Sequence, residues 1–404
     1  VLFKLAWRNI WRNKRRSVIV LTSVVVGVTA SIVLDAFQNG MINQMLMNQI
    51  SLNVSHMQIH KSGFNEDKAV KNFINKPGVI EKELSGNPNV KYFSKRVIAF
   101  GLISSTDNSS GVYIYGVEPD KEPNISMVKR SLIKGRYLSG KDREILIGEK
   151  LSEKLAVDLG DKIVAMSNTP DGEIASEVFR IVGIFRSPSS DFDKTDIFIP
   201  LFTAQRMLEL GSNVHEFAVI FNDYLQADKI AETIRDDIDS DYEVLSYNDI
   251  LPLLVLQVDM YKEMVYIINF IIGLSLIFGI VNSMLMSVFE RIQEIGVLMS
   301  IGMKNIKIIW MILFEAFILG ALGTFLGILS GYIVFSLFLA DGINLSVFAQ
   351  SLQSFGVGAV IYPILSLENL VSLLIMIPFI TLVGALYPAY KAVKLEPVYA
   401  IRYV

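Results

Sequence analysis

The sequence predicts a membrane protein of four transmembrane helices with a large α+β extracytoplasmic domain inserted between helices 1 and 2. Three observations carry this. Of 404 residues, 52% are apolar, too many for an ordinary soluble chain and too few for one lying wholly in a bilayer; mean hydropathy is +0.45. Apolar runs at 17–38, 261–288, 306–339 and 370–388 are long enough to cross a hydrocarbon core of about 30 Å. Charge follows the same division. Residues 40–260 hold 24 Lys and Arg against 32 Asp and Glu, and the rest of the chain holds 13 against 8. Cysteine is absent, which excludes disulfides and thiolate metal sites. The basic residues cluster at the ends of the apolar runs, so nothing points to nucleic acid.

Residues 1–16 form an amphipathic arm. Phe3, Trp7, Ile10 and Trp11 share a helical face, and Lys4, Arg8, Arg12 and residues 14–16 supply charge. Tryptophan and basic side chains favour the headgroup level of the cytoplasmic leaflet. The arm therefore reads as an elbow helix feeding the span at 17–38. A signal peptide also starts with a basic and an apolar segment. Here the basic segment is long and amphipathic and no A-x-A-like site follows, so a retained anchor is expected. Asp35, near the outer end of that span, reads as an interfacial residue already in water.

The segment 39–260 alternates strand-like runs with helical ones. Strands are expected at 56–60, 97–102, 111–116, 144–147, 162–165, 177–185, 197–200 and 217–221, and helices at 80–84, 202–210 and 225–238. Turn signals such as Asn87-Pro88-Asn89 and Pro170-Asp171-Gly172 separate them. The result is an α+β domain with a mixed or antiparallel sheet. His56 and His60 share a strand face, but no third ligand is close in sequence, so they read as a surface pair rather than a metal site. No P-loop, H-E-x-x-H or Ser-His-Asp pattern occurs, and the domain reads as a binding or force-bearing module rather than an enzyme. The Met- and Leu-rich flanks at 39–50 and 251–263 suit core packing. From these residues alone core is favoured over the other reading, an adaptable vestibule for an acyl chain or apolar cargo, with Met41, Met45, Leu254, Val258, Met260 and Met264 as its candidate lining.

Gly273, Ser275, Gly279 and Ser283 give the second span a small-residue face, and Gly320, Gly323, Gly327 and Gly331 give the third one another. Between these spans lies 289–305. Its Ile292, Ile295, Leu298 and Met299 recur at helical spacing, Gly296 and Gly302 punctuate it, and a span holds it on each side. Glu315 sits inside the third span, where an acid is costly unless it faces the bundle or snorkels. Residues 340–369 form a loop without basic residues, and 342–361 within it reads as a re-entrant or interfacial helix. The fourth span carries Pro378, and the tail 389–404 is basic. Lys and Arg excess in the arm, in 289–305 and in the tail places both termini in the cytoplasm.

The string Glu290-Arg291, then Glu294-Ile295-Gly296, then Gly302 resembles the E-R-x-x-E-I-G-x-x-x-x-x-G signature of the FtsX/MacB/LolC–LolE permeases, membrane subunits of mechanotransmission-type ABC transporters. Four further stretches are similar to the same family: the W-R-N-I-W-R-N-K-R-R arm, EVFRIVGIFR at 177–186, DIFIPLFTAQRML at 196–208, and the ending from Pro388 through Pro397 to Arg402. The resemblance implies that 289–305 is the coupling helix docking on an ATPase, with Glu290, Arg291, Glu294, Ile295, Gly296 and Gly302 as coupling residues. It implies a non-catalytic subunit of the bacterial inner membrane with a MacB-like periplasmic domain at 39–260. The partners implied are two copies of a separate ATPase, which holds ATP and Mg, and a second permease chain, identical or homologous. LolC/LolE-type permeases are the best match, implying lipoprotein or other lipid-linked cargo delivered to a periplasmic carrier. The alternatives are a MacB-like exporter of peptides or small molecules with a periplasmic adaptor, and an FtsX-like activator of a cell-wall hydrolase. No cofactor or metal is expected on this chain.

Overall fold

The structure, a computed structural model, describes residues 2–12, 14–354 and 356–394. In chain order its helices are α1 (Leu2–Arg12), α2 (Lys14–Gln49), α3 (Pro77–Gly86), α4 (Glu149–Leu155), α5 (Phe192–Thr195), α6 (Leu201–Met207), α7 (Ala227–Asp237), α8 (Tyr247–Ile250), α9 (Pro252–Glu290), α10 (Ile292–Ser300), α11 (Asn305–Val334), α12 (Ala349–Ser354) and α13 (Leu367–Val393). The chain forms two compact units. One gathers Val1–Ile42, Gln257–Asn344 and Val360–Val404, and the other Asn43–Leu256 with Leu345–Ala359. The family-like ending at Pro397–Arg402 lies outside the described residues.

The first unit is helical. Among the described residues, four helical stretches are long and apolar enough to cross a membrane: Ser17–Val54, Pro252–Glu290, Asn305–Leu339 and Leu367–Val393. The glycines of α11 set its packing. A Cβ at Gly323 would fall 2.7 Å from Val24, one at Gly327 2.6 Å from Val28, and one at Gly331 2.9 Å from Ile32. Without glycine there, α2 and α11 could not approach this closely. On another face of α11, Gly320 leaves room for Thr381 of α13. α13 continues through both Pro378 and Pro388 to Val393, past the proline at which the sequence ended the span. Each proline frees the carbonyl four residues earlier, those of Leu374 and Gly384, which such spans tolerate; Thr381 Oγ1 separately donates to the Pro378 carbonyl at 2.7 Å. The small-residue face of α9 behaves differently. Gly273 packs on Ile380, whereas nothing lies within 4 Å of a Cβ at Gly279.

The second unit is α+β with a mixed sheet. Its strands are β1 (Met57–Lys61), β2 (Val90–Ser104), β3 (Ser109–Val117), β4 (Leu132–Gly135), β5 (Glu144–Gly148), β6 (Lys162–Asn168), β7 (Ile174–Phe185), β8 (Asp196–Pro200), β9 (Glu216–Phe221) and β10 (Tyr242–Ser246). They follow the order β10-β1-β9-β2-β3-β8-β5-β7-β4, with β6 paired to β2 and β7. β3 with β8 and β5 with β7 run parallel, and the other pairs are antiparallel. Residues 342–361, read as a re-entrant or interfacial helix, instead form short helical turns and the ladder Ile343–Asn344 with Val360–Ile361, while 345–359 belong to the second unit. Two strands escaped the sequence reading. β4 is short and mostly exposed, and β10 lies at the edge of the sheet with a partly exposed pattern.

The histidine expectation fails. His60 is buried, and its Nε2 lies 3.0 Å from Glu216. Glu216 also accepts from Arg96 at 2.8 Å, and Arg96 pairs with Glu122 at 2.6 Å. Arg96 is 1% exposed, and its Nη1 also reaches the Asn53 carbonyl. Burial opposes ionisation of Glu216, but the Arg96 charge and His60 hold its carboxyl below the usual range. Phe64 stands between His60 and His215, 5.2 Å from each ring. His215 is buried and pushed down to about 4 by that burial, so it is neutral, accepting from Ile98 N and donating to Val70 O. Even spacing gave His56 and His60 a common face. It could not reveal that this face meets β9 and β10, whose Glu216 and Glu243 are distant in sequence. Among the described residues no group of His, Asp and Glu could hold a metal.

Two outcomes follow. Arg96→Leu strands Glu122 and Glu216 as uncompensated buried charges and should cost about 3–5 kcal/mol, read as faster hydrogen exchange in β2 and β9 peptides of the full chain. Asp196 is buried, and that burial pushes its carboxyl up to about 7 against the bonds from Thr195 and Tyr115. A folded-state value above the unfolded one gives stability that is present below about pH 4 and lost as pH rises to 7. Asp196→Asn should therefore protect β3 and β8 at pH 8 by roughly 3 kcal/mol relative to the parent, with the gain fading by pH 5.

Candidate functional site

The segment 289–305, where a coupling helix is expected, is built by two breaks in helix. At Arg291 the backbone leaves helical geometry (φ −110°, ψ 18°) and separates α9 from α10. At Gly302 a φ of +90° ends the turn after α10, a conformation that a side chain would strain. Between them the apolar spacing does what it predicts. Ile292 and Ile295 are buried, and Met299 packs against the helical core.

A chain of charges crosses the segment. Arg12 of α1 donates to Glu294 of α10 at 2.7 Å, and Arg291 approaches the same carboxylate at 3.4 Å. Arg291 also reaches Glu315 of α11 at 3.2 Å, and this pair is buried. Three elements distant in sequence are thus tied at one point. The partial burial of Glu294 opposes ionisation, but Arg12 and Arg291 hold its carboxyl below the usual range. The Arg12–Glu294 contact is about half exposed and adds little stability by itself. The Arg291–Glu315 contact is the one whose breaking would leave a charge buried.

The six candidate coupling residues divide by exposure. Glu290, Glu294 and Gly302 lie at the surface, whereas Arg291, Ile295 and Gly296 face inward. Ile295 and Gly296 pack inside the chain. The outer face instead presents Phe289, Val297 and Ile301, the last 79% exposed. Their signal was in the sequence, as the apolar positions off the Ile292–Ile295–Met299 stripe. Glu315 and Arg12 were visible as charges but not as partners.

Of the candidate vestibule residues, Met41, Val258, Met260 and Met264 belong to the helical unit, and Met45 and Leu254 to the other. Met260 and Met264 are exposed, and Val258 lines a cavity shared with Asp35, Glu263 and Glu368. Asp35, read as interfacial, is instead 6% exposed. It lies where α2, α9 and the start of α13 meet, a convergence that only packing creates. A second cavity, of about 590 Å³, lies between α2 and α9, lined by Arg15, Ser23, Ser275, Gly279, Asn282 and Ser283 among others. Ser275, Gly279 and Ser283 of the small-residue face thus border this cavity, whereas Gly273 packs on α13.

Residues 17–237 match the MacB-like periplasmic core domain, and residues 266–397 match the FtsX-like permease C-terminal domain. An uncharacterized ABC transporter permease, YvrN, of Bacillus subtilis (strain 168) is 24% identical over 99% of this chain and 98% of its own length. The macrolide export ATP-binding/permease protein MacB of Acinetobacter baylyi is 25% identical over 99% of this chain, which spans 59% of that protein. The lipoprotein-releasing system transmembrane protein LolC of Haemophilus influenzae is 22% identical over 94% of this chain and 91% of its own length. The periplasmic region of MacB from Actinobacillus actinomycetemcomitans covers 52% of the chain at 14% identity and a TM-score of 0.37. The core-domain match spans more than half of the 404 residues, and the C-terminal match covers α10, α11 and α13: the chain belongs to the FtsX/MacB/LolC family of ABC transporter permeases.

Proposed function

We propose that this chain is the membrane subunit of an inner-membrane complex of two permease chains and two separate ATPase subunits, and that it turns ATP hydrolysis into movement of its α+β unit. The observation that supports this best is the charge chain Arg12–Glu294–Arg291–Glu315. A push on α10 reaches α1 and α11 through it without passing through a flexible loop. The docking face for the ATPase is Glu290 with the exposed apolar Val297 and Ile301, a small greasy centre with a polar rim. ATP and Mg reside on the ATPase. Both termini and α10 lie in the cytoplasm, and the α+β unit lies in the periplasm. A second permease, identical or homologous, packs along the small-residue face of α9.

The cargo of this reading is a lipoprotein, drawn from the membrane along α2 and α9 and passed to a periplasmic carrier. The exposed Met260 and Met264 support it, since flexible apolar side chains suit acyl chains. A second reading has its own support. The polar lining of the cavity between α2 and α9, with Ser23, Ser275, Asn282 and Ser283, suits an exporter of peptides or small molecules working with a periplasmic adaptor.

Reconstitution with the ATPase in liposomes loaded with a triacylated lipoprotein tests the first reading. Transfer to a soluble carrier should require both ATP and this chain. ATPase activity that lipoprotein neither stimulates nor uses would favour the exporter. In the same assay Glu290→Ala and Gly302→Val should cut release by about tenfold or more while ATP hydrolysis persists, the scale of a typical coupling free energy. Full release by both variants would refute the coupling role. Reversing one charge, Arg12→Glu, should lower release, and adding Glu294→Arg should recover part of it; recovery is the signature of a direct pair.

A further inference from the structure

We propose that the cavity holding Asp35 binds an organic cation. It encloses about 230 Å³ in the helical unit, and Asp35 lies roughly 30 Å along α2 from Lys14. Its lining includes the carboxylates of Asp35, Glu263 and Glu368, the rings of Tyr261 and Tyr266, and the amide of Asn369. Among the described residues lining it, none is basic.

Two observations separate this from a solvated acidic patch. The first is that Asp35 is 6% exposed and has no ion-pair partner among the described residues. A carboxylate buried at membrane depth is costly unless a cation, a hydrogen-bond donor or both accompany it. The second is the state of Asn369, also 6% exposed. Its Oδ1 accepts from Asn269 at 2.8 Å, and Asn269 Oδ1 accepts from Ser31 at 2.5 Å. That ladder fixes the amide and leaves Asn369 Nδ2, on the side of Asp35, without a hydrogen bond of normal geometry. The site is rigid, polar and incomplete. Tyr266 donates to Glu368 at 2.9 Å, which holds one rim carboxylate in place and sets a ring beside it. Carboxylates with phenol rings are the recognition set for an ammonium group, through charge and the ring quadrupole. The volume is below the usual range for drug-sized ligands and suits a quaternary ammonium head with one small substituent.

The inference rests on the permease reading only for its role in transport, where it names the chemistry of a group that the cargo presents. Binding itself is tested on the permease alone, without ATPase, so either idea can fail while the other stands. The full chain is placed in nanodiscs of phosphatidylglycerol, which carry no amine headgroup, and titrated with benzyltrimethylammonium against its uncharged isostere neopentylbenzene, with empty discs subtracted. Saturable binding of the cation is expected, with the isostere far weaker. Asp35→Asn should weaken it more than about tenfold, as expected when one partner of a desolvated charge pair is removed. Asp171→Asn, at an exposed turn of the α+β unit, should leave it unchanged. Should Asp35→Asn fail to fold, Glu368→Gln and Tyr266→Phe, at exposed positions, serve instead, each lowering affinity severalfold. The proposal is overturned by absence of saturable binding, by equal binding of the isostere, by unchanged affinity in a folded variant, or by loss of binding in equimolar sodium, which would mark an inorganic-cation site.

Discussion

The close contact of α11 with α2 is the constraint on which the helical unit depends. Lipid offers no hydrophobic drive for helices to meet, so their association rests on van der Waals fit. Gly323, Gly327 and Gly331 supply the groove, and Val24, Val28 and Ile32, held stiff at χ1, supply the ridge. Once that face of α11 is occupied by α2 and the Gly320 face by α13, the remaining surfaces are assigned by exclusion. Glu315 is directed to Arg291, and the α9 face carrying Gly279 and Ser283 is left beside a cavity.

The same packing explains why the coupling segment is stiff at its base and free at its outer face. Ile292 and Ile295 sit in the core that α11 and α13 build, so α10 cannot move without them. Its exposed side carries Val297, Ile301 and Glu290. A segment anchored on one side and open on the other is mechanically suited to receive force from a partner. The Arg12 contact ties α1 to α10 with little effect on stability, since an exposed pair contributes little.

The α+β unit holds its charges in a different way. Arg96 is shared by Glu122 and Glu216, and His60 extends the cluster to β1 and β10. A buried cluster of this kind is poor evidence for stability but fixes register strongly, because a slip of one residue would expose half the charges to apolar neighbours. It joins β1, β2, β9 and the turn at Glu122, with Glu216 lying 120 residues from Arg96 and 156 from His60.

Much of this was legible in one dimension. Runs of apolar residues longer than a bilayer core determine spans whatever their neighbours. Period-two and period-3.6 patterns placed most strands of the α+β unit, and the Ile292–Ile295–Met299 stripe identified the buried side of α10. The ordered E-R-x-x-E-I-G motif identified the family. What the sequence left undecided was every relation between distant residues. It showed Asp35 as one acid near a span end and could not show that α9 and α13 close over it. It showed His56 and His60 on one face, not the two glutamates that face His60. It showed Arg12 and Glu315 as isolated charges, not the link between them through Glu294 and Arg291. Local pattern is a property of the chain, but burial and charge pairing exist only once separate segments meet, and which segments meet is decided by the tertiary fit of the whole.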